Sequence, residues 1–179
     1  MLKNFVQPTG AGIPKRGVES FAEQIAKSLN FEPGGSIEEL VASTGGTLVF
    51  GSSGAGDYDS GSIIARDLDD YTIYISRNTS RQRDRFTIAH ELGHLALHLP
   101  SIKANDSNAI MRATRSVDET DDAQKRAEWE ANWFAAAFLM PQDKFIEIFN
   151  AGGQLAVQRI FDVSPAAAST RARSLGLLD

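Results

Sequence analysis

Apolar positions along the chain recur in two different rhythms. Between residues 18 and 29, Val18, Phe21, Ala22, Ile25, Ala26 and Leu29 follow the three-and-four spacing that gathers apolar groups on one helix face. A shorter helix opens at Ser36, whose hydroxyl caps it while Glu39 reaches back, and closes at Gly45-Gly46. The rhythm then shortens. Thr47-Leu48-Val49-Phe50, Ser62-Ile63-Ile64-Ala65 and Tyr71-Thr72-Ile73-Tyr74-Ile75 are runs rich in β-branched and aromatic residues, which predict a small three-stranded sheet. The glycine-rich link from Gly51 to Asp57 lacks the Lys-Ser/Thr of a phosphate loop and opens no helix, so it reads as a mobile loop.

Thr79 or Ser80 caps a helix running through Arg81, Phe86, Ile88 and His90 to His98, where Pro100 stops it. Residues 101–122 are polar and read as a long surface loop. A helix over 123–139 ends before Pro141, and shorter helices follow over 142–149, 154–161 and 165–175, the last capped by Ser164 with Pro165 in its first turn. The resulting α+β organisation has an irregular lead-in over 1–17, rich in Pro and Gly, a core over 18–146, and a helical tail over 147–179 with helix-turn-helix-like spacing.

Composition narrows the chemistry. A chain of 179 residues that is 42% hydrophobic is long enough for one core plus a small appendage. It contains no cysteine, which excludes disulfides, thiol nucleophiles and Cys-based metal sites, so any metal must be held by His, Asp or Glu. Eighteen Lys and Arg against 23 Asp and Glu give a net charge of −5, which argues against direct nucleic-acid binding. There is no signal-peptide h-region and no stretch near the ~20 apolar residues of a membrane helix, so the expectation is a cytoplasmic protein without a membrane partner.

The three histidines, His90, His94 and His98, fall together in one helical segment. At about 100° per residue, His90, Glu91 and His94 share one side of the helix. His-Glu-x-x-His is the spacing in which a helix offers two imidazoles to Zn²⁺ while the intervening glutamate addresses a metal-bound water. A catalytic zinc normally has a third protein ligand, and one straight helix does not easily wrap His98 round the same ion. The helix over 123–139 offers Glu128 and Glu130, about 200° apart, so at most one faces the metal. Glu128 is the better placed, because Asn132 lies on its face, able to accept the N–H of a ligating imidazole, and Ala131, Ala135 and Ala136 allow close approach. Glu130 stands as the alternative ligand.

The segment from Arg85-Phe86-Thr87-Ile88-Ala89-His90-Glu91-Leu92-Gly93-His94 to His98, followed by Glu128-x-Glu130-Ala131-Asn132 and then Phe138-Leu139-Met140-Pro141, resembles the ImmA/IrrE family of metallo-endopeptidases. The likeness extends from about residue 18 to the Phe161-x-Val163-Ser164 turn. It implies a zincin-like fold with the sheet packed on the His-Glu-x-x-His helix, a Zn²⁺ or Mn²⁺ ion on His90, His94 and Glu128, and Glu91 as general base. It further implies a protein substrate, a helix-turn-helix repressor of the XRE/Cro type whose cleavage relieves repression of a mobile element or stress regulon. Larger members carry a C-terminal sensor domain, and the expectation for this sequence is a chain without one.

For the oxyanion, the available donors are Tyr58, Tyr71, Tyr74 and His98, and His98 fits better as a cap of the helix end or as a group bonded behind the metal ligands. Two rival readings stand beside the peptidase. One is a non-proteolytic regulator binding DNA or a repressor through the tail around Arg159, Arg171 and Arg173; the other is a toxin–antitoxin-like binding partner, against which an intact Glu91 argues.

Overall fold

In the computed structural model, which describes residues 4–51, 62–114 and 118–179, strand β1 (Phe5–Val6) precedes helix α1 (Lys15–Ser28), which Pro14 introduces. Val18, Ala22 and Ala26 form the buried stripe of α1, as the spacing predicts. Helix α2 (Ile37–Ser43) is capped by Ser36, whose Oγ accepts the Glu39 N–H at 3.1 Å, while the hydroxyl proton goes to the Glu38 carboxylate. Then come β2 (Gly46–Gly51), β3 (Ser62–Asp67) and β4 (Asp70–Ser76). Ser80 caps α3 (Arg81–Leu97), the histidine helix, by accepting the Arg83 N–H at 3.2 Å.

Two expectations are corrected downstream. Residues 101–122 are not simply a loop: they contribute to α4 (Leu99–Asn105) and hold β5 (Ile110–Ala113). Among the described residues the sheet accordingly has five strands, not three, in the order β1-β5-β3-β4-β2. The lead-in supplies β1, which pairs in parallel with β5 through Phe5–Ile110 and Val6–Met111. Strands this short carry no period of their own and exist by pairing, which is why periodicity misses them.

Helix α5 (Asp122–Leu139) is capped by the Asp121 carboxylate and lies between α1 and α3. Its buried Ala131, Phe134, Ala135 and Phe138 meet both neighbours, and the Phe138 ring stacks on Phe31 at 4.8 Å and on Phe134 at 5.6 Å. Helix α6 (Gln142–Phe161) breaks at Gly153, whose φ of 68° suits glycine alone, so the two short helices predicted there flank a kink. Helix α7 (Pro165–Ser174) is capped by Ser164 and docks through Arg171, which is buried, binds Glu19 at 2.7 Å and the Met140 carbonyl at 3.1 Å, and so is not presented to a phosphate backbone. Among the described residues no helix is long and apolar enough to cross a membrane.

Candidate metal centre

Glycine at position 93 allows α3 and α5 to touch. A Cβ there would stand 3.1 Å from both the Ala131 Cα and the Phe134 Cβ. This close approach faces His90 and His94 on α3 toward Glu128 on α5. His94 Nε2 lies 3.0 Å from Glu128 Oε1, His90 Nε2 lies 3.2 Å from Glu128 Oε2, and the two Nε2 atoms are 3.1 Å apart. Neighbouring ligands around a tetrahedral ion with bonds of ~2.0–2.1 Å stand about 3.3 Å apart. The separations therefore fit a divalent ion, and one nitrogen or oxygen from each of the three residues falls within a 4.8 Å cluster.

The opposite ring nitrogens are also held. His90 Nδ1 lies 2.9 Å from Asn132 Oδ1, one helical turn beyond Glu128, so the amide oxygen accepts the ring proton and leaves Nε2 to face the cluster. His94 Nδ1 lies 3.1 Å from His98 Nδ1.

Electrostatics follow from this packing. Burial pushes the His94 imidazole down to about 4, which keeps the ring neutral and able to ligate. Burial also opposes charge on His90, but its bond to Glu128 and the nearby carboxylates of Glu91 and Glu128 outweigh burial and raise its pKa above the ordinary 6.5. Burial likewise disfavours ionisation of Glu128, yet its contacts with both imidazoles hold the carboxyl well below the usual carboxylate range.

Glu91 is buried on α3 and lines, with His90, His94 and Glu128, a cleft of about 190 Å³ whose walls include Phe86, Thr87, Thr114 and Asn132. A larger groove of about 760 Å³ shares Phe86, Thr87 and Asn132 with this cleft and runs toward Trp129, Trp133 and α7.

The other sequence candidates lie elsewhere. Tyr71 is fully buried with its hydroxyl 2.6 Å from Thr44 Oγ1, so the phenol is committed to the core. Tyr74 sits on the opposite face of β4 from the buried Tyr71, Ile73 and Ile75, and Tyr58 lies outside the described residues. Thr87 and Thr114 are hydroxyls that do line the cleft, though nothing in their spacing singled them out. Glu130 is not beside Glu128: it is fully buried and accepts the N–H groups of Ala11 at 2.7 Å and Gly12 at 2.9 Å, Arg126 Nε at 3.0 Å, and His98 Nε2 at 3.0 Å. Sequence reasoning missed this role, since two of its partners, Ala11 and Gly12, lie more than a hundred residues away along the chain.

The profile of the IrrE N-terminal-like domain, a peptidase family, matches residues 46–173. Among solved structures, a Mycobacterium tuberculosis transcriptional regulator is similar with a TM-score of 0.58 at 18% identity, over 87% of this chain. The chain spans 46% of that protein's length, and the likeness is one of fold. A search of curated proteins returns no match.

Proposed function

The chain belongs to the ImmA/IrrE family, and from that premise we propose that it is a metal-dependent endopeptidase that hydrolyses a protein partner. The observation that carries the reading is the convergence of His90, His94 and Glu128 beside Glu91 in one cleft. His90, His94 and Glu128 would hold the ion, Zn²⁺ or Mn²⁺. When bound, such an ion supplies Lewis acidity, polarising the scissile carbonyl and acidifying water. Glu91 takes the proton of the attacking water on its carboxylate and delivers it to the departing amine. Asn132 keeps the His90 ring oriented, and Phe86 and Thr87 pass the substrate chain from the cleft into the wider groove. The family resemblance nominates a helix-turn-helix repressor as substrate.

The test is Glu91→Gln. Purified wild type with one equivalent of Zn²⁺ should cut an XRE/Cro-type repressor taken from the same genome, and Glu91→Gln should bind the same amount of zinc and cut at least ~10²-fold more slowly, the lower range for general acid–base assistance. Equal cleavage by both would defeat Glu91 as the general base, and no cleavage by the zinc-loaded wild type would defeat the peptidase reading. A partner that both proteins bind and neither cuts would leave the non-proteolytic regulator instead.

A further inference from the structure

The metal ligand His94 is backed by a buried chain of polar groups. Its Nδ1 lies 3.1 Å from His98 Nδ1, and His98 Nε2 lies 3.0 Å from Glu130 Oε2. All three side chains are nearly inaccessible to water, at 1%, 2% and 0% exposure for His94, His98 and Glu130. Proton positions in such a chain are dictated by the partners and not by solvent. Glu130 also accepts two backbone N–H groups and Arg126, so it is an ionised, acceptor-only carboxylate, and His98 must carry a proton on Nε2. In neutral His98 the Nδ1 is then an acceptor, and His94 meets it with a proton on its own Nδ1. The lone pair of His94 is left on Nε2, 3.0 Å from an oxygen of the Glu128 carboxylate. A lone pair against a carboxylate oxygen is repulsive unless a positive charge lies between them.

We propose that Glu130 and His98 are positioning residues that lock His94 in the Nδ1–H tautomer and so present its Nε2 to a divalent cation. The proposal rests on reading His90, His94 and Glu128 as the metal ligands. Neither positioning residue touches the ion. Glu130, a rival for the third ligand by sequence, acts at two removes, through the imidazoles of His98 and His94.

The experiment uses the full chain with ¹⁵N-labelled histidine and two readouts. NMR of the metal-free protein gives the His94 tautomer, and competition with a chelator gives Zn²⁺ affinity. Wild type should show His94 protonated on Nδ1. His98→Leu should lose that preference and weaken Zn²⁺ binding by about 10–100-fold, the usual effect of removing a ligand's hydrogen-bond partner. His98→Asn, which keeps an acceptor oxygen close to the Nδ1 position, should recover most of the affinity and the tautomer; a purely structural role for His98 would not show this rescue. A folded His98→Leu protein with wild-type affinity and an unchanged tautomer overturns the proposal, as does a wild-type His94 protonated on Nε2. If His98→Leu does not fold, Glu130→Gln is judged by the same two readouts. Failure of wild type to bind Zn²⁺ would remove the metal reading, while the tautomer comparison still decides the role of Glu130 and His98.

Discussion

Gly93 on α3 sits against the backbone of Ala131 on α5, so closely that an added Cβ would lie 3.1 Å from the Ala131 Cα and 3.2 Å from its carbonyl oxygen. Two helices that touch backbone to backbone at this point carry the two halves of the proposed metal centre. Gly93→Val should push them apart. The overpacking costs about 1–3 kcal/mol, read as a lower urea midpoint, and the separation of His94 from Glu128 should also weaken Zn²⁺ binding in chelator competition. Unchanged zinc affinity in a destabilised Gly93→Val protein would show that the crossing serves packing alone.

Removing Glu128 should be graver than removing its neighbour Asn132. Asn132→Ala deletes the oxygen that holds His90 Nδ1 and should weaken Zn²⁺ binding by roughly 10–100-fold. Glu128→Ala deletes an oxygen of the cluster itself and should exceed that loss. The reverse order would move the third ligand away from Glu128.

High pH should unfold the protein through Tyr71. Burial raises the pKa of this phenol above the ordinary 10, although its bond to Thr44 works the other way. The fold therefore prefers the protonated form; the stability from this preference is complete below pH ~10 and is lost as pH rises through the folded value. Tyr71→Phe should cost about 1 kcal/mol at neutral pH, for the lost hydrogen bond, and flatten the decline of urea stability above pH ~10. Parallel declines in both proteins would assign the alkaline transition to another group.

Arg171 fastens α7 to α1. It is buried, pairs with Glu19 at 2.7 Å and binds the Met140 carbonyl. Arg171→Leu should destabilise by about 1–3 kcal/mol, less than the ~3–5 kcal/mol of a fully buried pair because Glu19 keeps some contact with water. Equilibrium unfolding measures the loss. Stability equal to wild type would mean that α7 is held by its apolar face alone.

What could be read in advance followed from local physics. The spacing of His90, Glu91 and His94 on one helix, the caps at Ser36, Ser80 and Ser164, and the break near Gly153 are each written within a few residues. Glu128 and Asn132 were legible because helical geometry places them on one face. β1 and β5 were not, because each is defined by its partner across the sheet. The bonds from the Ala11 and Gly12 N–H groups to Glu130 join the two ends of a long stretch of chain, and no local rule reaches that far. Tyr71 illustrates the converse: a tyrosine in a strand is visible in the sequence, but only the alternation of β4 decides that it faces Thr44 and the core.

If His90, His94 and Glu128 hold an ion as proposed, the hydrogen bonds from Ala11 and Gly12 to Glu130 make the lead-in and that site partners in one equilibrium. If His94 binds its ion better when Glu130 is in place, binding must in turn steady whatever holds Glu130, because such coupling is reciprocal. Loading with zinc should therefore slow amide exchange at Ala11 and Gly12, and a mechanical pull on the first dozen residues should register as a lower affinity for the ion.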